Sequence, residues 1–584
     1  MRILAVAVLT GCATALPAAA ADPVLPLSEV RPGMTGTAHT VVRGTEVVTF
    51  PVTVLDVGRG PGPGGSLIVI RADGPLMDET GGIAEGMSGS PVYVTGEDGV
   101  DRVIGAIAYG QGDERNRIGG ITPIEQMLAV AGGPRALALP QAAAQRPVRV
   151  AADEAAAARL RRAEPRARVL VPLRRWSVAG VHPRLSRGLS RRLGTGVQVD
   201  AVASRTPRPP APLEPGRTMT AQVLGGDIAL GAIGTVTYVD GPTVLGFGHP
   251  FTGAGAVRLL LGDGWIITTV SAPVKGLSYK LGEPGTLQGM ITGDRRDGVV
   301  GRIGPVQAVQ VRTRARDLRR RTTADLDVRM APQAELVPLV ADLLQAEPVL
   351  RVRDGVTSGT LSLRITVRGP DLRRPFVYRN VWASAGDTAS VSSGALGRIL
   401  TVLTQNGVRE VMPSRIEVEQ TLHPAILAGQ IQRARVVPAT VRPGQRARLV
   451  LTLRMWRGGE RRVVVPVRIP RHLDPGPAAL RVVPNDAGGF DPTFADLSSA
   501  LGGESAPLGR RTPMTGGLAR ALQGPGTPRE RVLRALRRAT DDRHDAVRLL
   551  GPGEDAEDRT VGVTVPVPDV VVTGGRGVAR IRVR

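Results

Sequence analysis

Apolar residues in the N-terminal part of the chain come in short runs and alternations of the kind that form β-strands. Val47–Val57 is the second arm of an expected hairpin, and the continuous apolar run Ser66–Arg71 is typical of a buried strand. Val92–Thr95 and Val103–Gly110 flank a Gly-Glu-Asp-Gly turn and predict a second hairpin. The amphipathic stretch Pro123–Val130 predicts a short helix that closes this unit.

The β-type pattern returns after residue 215. Gly231–Tyr238 predicts a strand, and Val244–Phe251, which reads VLGFGHPF, is an apolar strand that ends in a Gly-His-Pro turn. Gly293–Gly304 predicts a loop that carries Asp294. Between the two β-rich regions, Ala152–Arg162 predicts a helix, and the arginines of residues 159–192 are expected to form a solvated face.

Beyond residue 330 the pattern mixes helices and strands. Ala334–Glu347 carries leucines at helical spacing, which predicts a helix. Arg446–Met455 and Arg462–Ile469 alternate as the strands of a small β-sandwich do. In the tail, Pro528–Leu550 predicts an arginine-rich helix, and strands follow it.

The chain has 584 residues, a length that predicts about three to four domains. Hydrophobic residues make up 42% of it, which is typical of a globular protein. The net charge is +23, nearly all from arginine, because Lys275 and Lys280 are the only lysines. The arginines are spread along the chain, and no predicted element combines them with the aromatic residues that stack on bases. We therefore expect no nucleic-acid partner and interpret the arginines as a compositional habit, with weak attraction to anionic envelope polymers as the alternative.

Met1–Ala20 has the features of an export signal, because Arg2 precedes an apolar run and small residues precede the cleavage point. Leu9–Cys12 resembles a lipobox, so a lipid anchor at Cys12 is the alternative to cleavage near Ala20. Either outcome predicts a mature chain that is secreted or held in the cell envelope.

Cys12 is also the only cysteine, and the six histidines lie too far apart in sequence for a motif such as His-x-x-x-His. We expect no disulfide within the chain, no metal and no other cofactor.

The stretch Gly81–Pro91, which reads GGIAEGMSGSP, is the strongest candidate for chemistry. A nucleophilic serine must project its hydroxyl from a tight turn, and Gly86 and Gly89 permit the backbone angles of such a turn. We predict Ser88 as the nucleophile and the N–H groups of Gly86 and Ser88 as an oxyanion hole. The alternative is a flexible Gly/Ser turn without chemistry.

A serine nucleophile needs a base, and His249 is the first candidate because Gly248 and Pro250 fix its direction at the end of a strand. His39, which precedes the serine in Thr-Ala-His-Thr, is the rival. The third member of a triad is a carboxylate that orients the imidazole. Asp73, at the end of a strand before the serine turn, is the first choice.

Two further carboxylates, Asp240 and Asp294, are the alternatives to Asp73 as the third member.

With these residues identified, the chain resembles the SpoIVB-type serine peptidases, which are exported bacterial endopeptidases. The matching stretches are Thr80–Pro91, Val103–Ile107 and Gly231–His249. The resemblance implies a mainly β fold with a chymotrypsin-like double β-barrel, cleavage of protein or peptide substrates outside the cytoplasm, and often self-processing. It supports Ser88 and His249, and it favours Asp73, since the family carries an Asp at about that distance before the serine.

Two features depart from the family. Its better-known members have the histidine motif first and a PDZ domain upstream, whereas here Ser88 precedes His249 and no PDZ sequence is evident. Ala108 also stands where the family has a hydroxyl residue. Two hypotheses follow: an exported serine endopeptidase, or a catalytically inactive envelope protein that keeps the fold and binds a partner.

The expected domains are a signal peptide (1–21), a peptidase part with the serine motif (22–132), an Arg/Ala/Pro-rich linker with a helix (133–215), a peptidase part with the histidine motif (216–330), an α+β module (331–430), a β-sandwich-like module (431–482) and a tail (483–584).

Overall fold

A computed structural model describes most of the chain after residue 20. The described ranges are 21–59, 65–112, 117–132, 148–193, 199–202, 208–271, 277–353, 355–389, 391–392, 394–491, 516–556 and 562–584. The expected export signal, including Cys12, lies outside them.

The first β-rich region forms a closed barrel, here called barrel A. Its elements are β1 (Thr35–Thr40), β2 (Val48–Arg59), β3 (Ser66–Ala72), α1 (Pro75–Thr80), β4 (Ala84–Glu85), β5 (Pro91–Thr95), β6 (Asp101–Gly110), β7 (Ile118–Pro123) and α2 (Ile124–Val130), after a 3-10 turn at Leu27–Glu29. Six antiparallel strands pair in the order β1-β2-β3-β7-β6-β5, and β5 pairs back to β1. In β2, Phe50, Val52 and Val54 are buried, because every second residue of a strand faces the same side.

The segment that follows joins the two barrels. It contains β8 (Val148–Val150), α3 (Glu154–Ala163), β9 (Arg168–Pro172), β10 (Trp176–Ala179), α4 (Pro183–Leu193) and β11 (Val199–Val202). Asp153 caps α3 by accepting a hydrogen bond of 2.7 Å from the N–H of Ala156. Strand β9 pairs with β6 of barrel A, so the segment expected to be a linker is built into the sheets.

The second β-rich region forms barrel B. Its strands are β12 (Thr218–Gly226), β13 (Ala229–Asp240), β14 (Thr243–Gly246), β15 (Gly255–Val270), β16 (Ser278–Arg295) and β17 (Gly298–Ile303). They pair antiparallel in the order β12-β13-β14-β17-β16-β15, and β15 pairs back to β12. The prediction of a loop over Gly293–Gly304 is wrong, because β16 and β17 pair through it and only Arg296-Asp297 forms the turn.

Two closed six-stranded antiparallel barrels in one chain confirm the predicted fold class, a mainly β protein with a chymotrypsin-like double barrel. The barrels are joined by β10, which pairs with β13, and by β4, which pairs in parallel with β16.

An α+β part continues the sheet of barrel B, since β19 pairs with β12. Its elements are β18 (Val309–Asp317), β19 (Thr322–Met330), α5 (Val337–Val352), β20 (Gly359–Arg368), β21 (Phe376–Ser384), α6 (Ala395–Thr404) and β22 (Arg415–His423). Leu343, Leu344 and Leu400 from the two helices are buried in the core that this part shares with barrel B.

The remaining strands form a β-sandwich, except for the short strand Phe490–Asp491, which pairs with β21 in the sheet that continues barrel B. The elements are β23 (Ala428–Val437), β24 (Thr440–Val441), β25 (Arg446–Met455), β26 (Glu460–Arg468), β27 (Gly476–Pro484), β28 (Phe490–Asp491), α7 (Gly516–Gln523), α8 (Pro528–Ala539), β29 (Ala546–Leu550), β30 (Val563–Pro566), β31 (Val571–Gly575) and β32 (Gly577–Val583). One sheet is β26-β25-β23-β31 and the other is β24-β32-β27-β29-β30, with Leu449, Leu480 and Val547 buried between them.

The sandwich therefore takes strands from the expected tail as well as from 431–482. The predicted helix Pro528–Leu550 is too long: α8 ends at Ala539, and the apolar run that follows is the buried strand β29. Every helix in the described ranges is too short or too polar to cross a lipid bilayer.

Candidate active site

Ser88 lies in a tight turn between β4 and β5. The N–H of Met87 donates to the carbonyl of Ala84 (2.9 Å), and the N–H of Ser90 donates to that of Met87 (3.0 Å). Gly86 and Gly89 have φ values of +89° and +94°, which glycine adopts without strain. A Cβ on Gly89 would lie 1.9 Å from the carbonyl oxygen of Thr235, so this position has no room for a side chain.

The serine turn is attached to both barrels. The N–H of Gly89 donates to the carbonyl of Ile107 on β6 (2.7 Å), and the N–H of Thr235 on β13 donates to the carbonyl of Ser88 (2.7 Å). The hydroxyl of Thr237 donates to the carbonyl of Gly89 (2.7 Å). Ser88 is therefore held at the seam between barrels A and B.

His249 reaches the same seam from barrel B. It follows β14, and the two residues before it, Phe247 and Gly248, have φ values of +66° and +65°. The hydroxyl of Thr122 on β7 donates to the carbonyl of Gly248 (2.5 Å). A Cβ on Gly248 would lie 3.1 Å from the Cβ of Ala108, the residue after Ile107, so the two motifs meet at neighbouring residues of β6.

Ser88 and His249 are both completely buried, each with an exposed fraction of 0%. In the part of the chain that the structure describes, neither Ser88 Oγ nor His249 Nε2 has a hydrogen-bond partner, so the two do not bond each other in this state. A buried polar atom without a partner costs about 1–3 kcal/mol, and its retention is typical of functional sites.

The imidazole of His249 is uncharged and is contacted by backbone groups. Its Nδ1 lies 2.9 Å from the carbonyl oxygen of Pro250, and because a carbonyl only accepts, this contact favours the tautomer with the proton on Nδ1. Burial lowers the pKa of His249 to about 4, opposed by the backbone groups of Pro250 and Leu173. The imidazole is therefore neutral at physiological pH.

Asp294 fixes the loop that follows His249. Its buried carboxylate accepts hydrogen bonds from the N–H groups of Phe251 (2.7 Å), Thr252 (2.6 Å) and Gly253 (2.9 Å) and from the hydroxyl of Thr252 (2.7 Å). Its negative charge acts to raise the pKa of His249. Of the three candidate carboxylates, Asp294 is the one that the structure places beside the histidine loop.

The other two carboxylates lie on the surface. Asp73 pairs with Arg71 (2.8 Å) and Arg117 (3.6 Å), and its side chain is 39% exposed. Asp240 is exposed at the end of β13. In this state the carboxylate of Asp73 bonds to arginines and not to a histidine, and its role in a triad stays a prediction from the family resemblance.

The rival base, His39, lies on β1 next to Thr40. Neighbouring residues of a strand point to opposite faces. Thr40 faces the serine turn and bonds Ser90, whereas the ring of His39 stacks on Tyr93, with 4.6 Å between centroids. The residue before His249 therefore contacts β6, whereas the ring of His39 packs on Tyr93, and His249 as the base stays a prediction.

The N–H groups of Gly86 and Ser88 are the predicted oxyanion donors, and their role stays a prediction. In the described ranges, no backbone hydrogen bond of the turn uses the N–H of Gly86 or of Ser88. Nor does any cluster of three or more His, Cys, Asp or Glu residues there have the arrangement of a metal site.

A short segment, Leu173–Arg175, runs beside the serine turn between the same two strands. The N–H of Leu173 donates to the carbonyl of Ala108 (3.1 Å), and the N–H of Ile233 donates to that of Arg175 (3.3 Å). Ser88 bonds Thr235, and Arg175 bonds Ile233, two residues earlier on the same strand. The serine turn and this segment therefore lie side by side between β6 and β13.

Arg175 also forms ion pairs next to the serine turn. Its guanidinium bonds both carboxylate oxygens of Asp200 (2.5 and 2.8 Å) and Glu85 Oε2 (3.0 Å), and it lies 3.6 Å from the ring centroid of Tyr279. Burial raises the pKa of Glu85 to about 7, although Arg175 opposes this. The side chain of Arg175 is only 13% exposed, so the expectation of a solvated arginine face fails at this residue, because two carboxylates and an aromatic ring enclose it.

Part of the chain matches a known protein family. Residues 16–128 match the family described as SpoIVB peptidase S55. The predicted resemblance to the SpoIVB-type peptidases is thereby confirmed over the part of the chain that contains the serine motif. His249 lies beyond the matched residues. No match was found among curated proteins or among solved structures.

Proposed function

We propose that this chain is an exported serine endopeptidase of the SpoIVB type, with Ser88 as nucleophile and His249 as base. One observation carries the proposal: two motifs far apart in sequence converge on Ile107 and Ala108, and each brings a buried side chain whose reactive atom has no partner. Other hydroxyls in the described ranges, such as those of Ser362 and Thr313, also lack partners, so the argument rests on the two unpartnered atoms occurring together at this contact between the barrels.

The proposed chemistry uses groups from both motifs. His249 Nε2 takes the proton of Ser88 while Oγ attacks the peptide carbonyl, and Nδ1–H, held by Pro250, keeps the ring in the correct tautomer. The N–H groups of Gly86 and Ser88 stabilise the oxyanion. His249 then protonates the leaving amine, and water attacks the acyl-enzyme to release Ser88.

The complete burial of Ser88 and His249 favours the second candidate, an inactive protein that keeps the peptidase fold and binds an envelope partner. Under the peptidase proposal, the described state is closed, and the buried Ser88 must become accessible before a substrate reaches it. The two candidates therefore differ in whether the folded chain ever hydrolyses a protein.

Hydrolysis of fluorescently labelled casein by the mature chain tests the proposal. We expect Ser88→Ala and His249→Gln to lose activity by roughly 10³-fold or more. His39→Gln should retain activity, as should Ser362→Ala, a matched control on β20 whose hydroxyl also lacks a partner in the described ranges. Activity that survives Ser88→Ala would contradict the proposal, and a folded but inactive wild type would favour the binding protein.

Export is a separate part of the proposal and rests on the sequence of Met1–Ala20. Mass spectrometry of the protein from its native envelope or medium tests it. A mature N-terminus at Ala21 or Asp22 supports secretion, a lipid-modified Cys12 supports an anchor, and an intact Met1 would contradict export.

A further inference from the structure

Lys280 lies beneath the serine turn, and no feature of the family motifs points to it. It is on β16 and only 1% exposed. Its aliphatic chain packs on Gly86, where an added Cβ would lie 3.2 Å from Lys280 Cβ and Cδ. The side chain therefore contacts one of the two predicted oxyanion residues directly.

The amine of Lys280 extends this contact into a chain of hydrogen bonds. Lys280 Nζ lies 2.8 Å from Thr40 Oγ1, and the hydroxyl of Ser90 donates to the same oxygen at 3.0 Å. Thr40 and Ser90 are both completely buried. These hydrogen bonds thus connect Lys280 of barrel B and Thr40 of barrel A to Ser90, which lies two residues after Ser88.

The choice of lysine at this site is informative. Only two of the 75 lysine and arginine residues are lysines, so an arginine would be the expected basic residue at any position of this chain. An arginine stays charged and needs several acceptors, whereas a lysine amine is compact and its pKa falls readily when it is buried. Burial lowers the pKa of Lys280 to about 7, and in the described ranges its amine has no carboxylate partner.

We propose that Lys280 is a positioning residue of the serine turn, which acts through Thr40 and Ser90 to hold Ser88 and the N–H of Gly86 in place. This inference rests on the proposed peptidase function. Without the amine, Ser90 keeps its bond to Thr40, but the turn loses this tie to barrel B, and only the bonds from Thr235 and Thr237 on β13 still hold Ser88 and Gly89 from that side.

Four variants of the full mature chain test this. Lys280→Met keeps the aliphatic contact and removes the amine, and Thr40→Val removes the hydroxyl without changing the shape. Thr40→Ser restores the hydroxyl. Thr313→Val is a matched control, because Thr313 is buried on β18 and its hydroxyl has no partner in the described ranges.

The first measurement is amide hydrogen exchange of the peptide that contains residues 86–90, which requires no activity. Lys280→Met and Thr40→Val should exchange roughly 5- to 10-fold faster there, while Thr40→Ser and Thr313→Val match the wild type. The second measurement is the rate of labelling by a fluorophosphonate, which should fall by roughly 10²-fold in the first two variants only, because a small misplacement of a nucleophile is costly.

Unchanged exchange in Lys280→Met, or a Thr40→Ser variant that behaves like Thr40→Val, would overturn the proposal. If Lys280→Met fails to fold, the comparison of Thr40→Ser with Thr40→Val still decides. A folded wild type that exchanges as predicted but never reacts with the probe would refute the peptidase function and leave the hold of Lys280 on the turn established.

Discussion

Gly89 shows how strongly a single residue constrains the serine turn. Its φ of +94° disfavours any side chain, and a Cβ would collide with the carbonyl of Thr235. We expect Gly89→Ala to lower the free energy of unfolding by about 3 kcal/mol or more. Gly33→Ala measures the cost of the backbone conformation alone, because Gly33 has a φ of +89° and open space around it. It should lower the free energy of unfolding by about 1–2 kcal/mol. Urea unfolding measures both, and equal losses would contradict the collision.

His249 predicts a dependence of stability on pH. Its pKa is about 4 in the folded chain against 6.5 for the free side chain, so between these values the unfolded chain binds the extra proton. Stability should therefore fall as the pH drops from about 6.5 to 4, by about 3 kcal/mol in total from this residue. Denaturant unfolding of the wild type and His249→Gln across this range checks it, and parallel curves would show that the imidazole is not buried in its neutral form.

Sequence reasoning found the residues that carry a local signature and missed those defined by distant contacts. Ser88 and His249 stand in glycine-flanked turns that are visible in the sequence. The contact of Lys280 with Thr40 spans 240 residues, and no local pattern predicts it. The scarcity of lysine in an arginine-rich chain was the one sequence signal available for Lys280.

At the scale of elements, the ion cluster of Arg175 holds β4, β10 and β11 together. Arg175→Met should lower the free energy of unfolding by about 3 kcal/mol, because it leaves Glu85 and Asp200 buried without their partner. Arg174→Met, at the adjacent half-buried arginine whose guanidinium donates to the carbonyl of Ala152, should lower it by no more than about 1 kcal/mol.

The pairing itself is tested by a double-mutant cycle with Glu85→Gln. We expect the double variant Arg175→Met/Glu85→Gln to lose less stability than the sum of the single variants. Strict additivity would mean that the guanidinium does not stabilise Glu85.

Strands and helices with a regular pattern were predictable, whereas their ends depended on tertiary contacts. The run Ser66–Arg71 became β3 and Pro123–Val130 became α2, nearly residue for residue. The segment after Ala539 satisfies a helical pattern as well as a strand pattern, and it becomes β29 because the sandwich offers it a pairing edge. Periodicity alone cannot tell these outcomes apart.

At the scale of the whole molecule, the site exists only where two barrels meet. Barrel A supplies the serine turn, barrel B supplies His249, and β6 and β13 anchor the turn between them. The family resemblance predicted two barrels, although the serine precedes the histidine in this chain. The closure of each barrel and the return of the C-terminal strands to the sandwich are long-range pairings that leave no local trace in the sequence.

The most direct test of the account is to map a fluorophosphonate adduct on the folded, mature chain by peptide mass spectrometry, for the wild type and for His249→Gln. We predict a single adduct on Ser88 in the wild type and none in His249→Gln, because the serine is activated only by the imidazole of the other barrel. An adduct on another serine, or an adduct on Ser88 that forms equally fast in His249→Gln, would contradict the account.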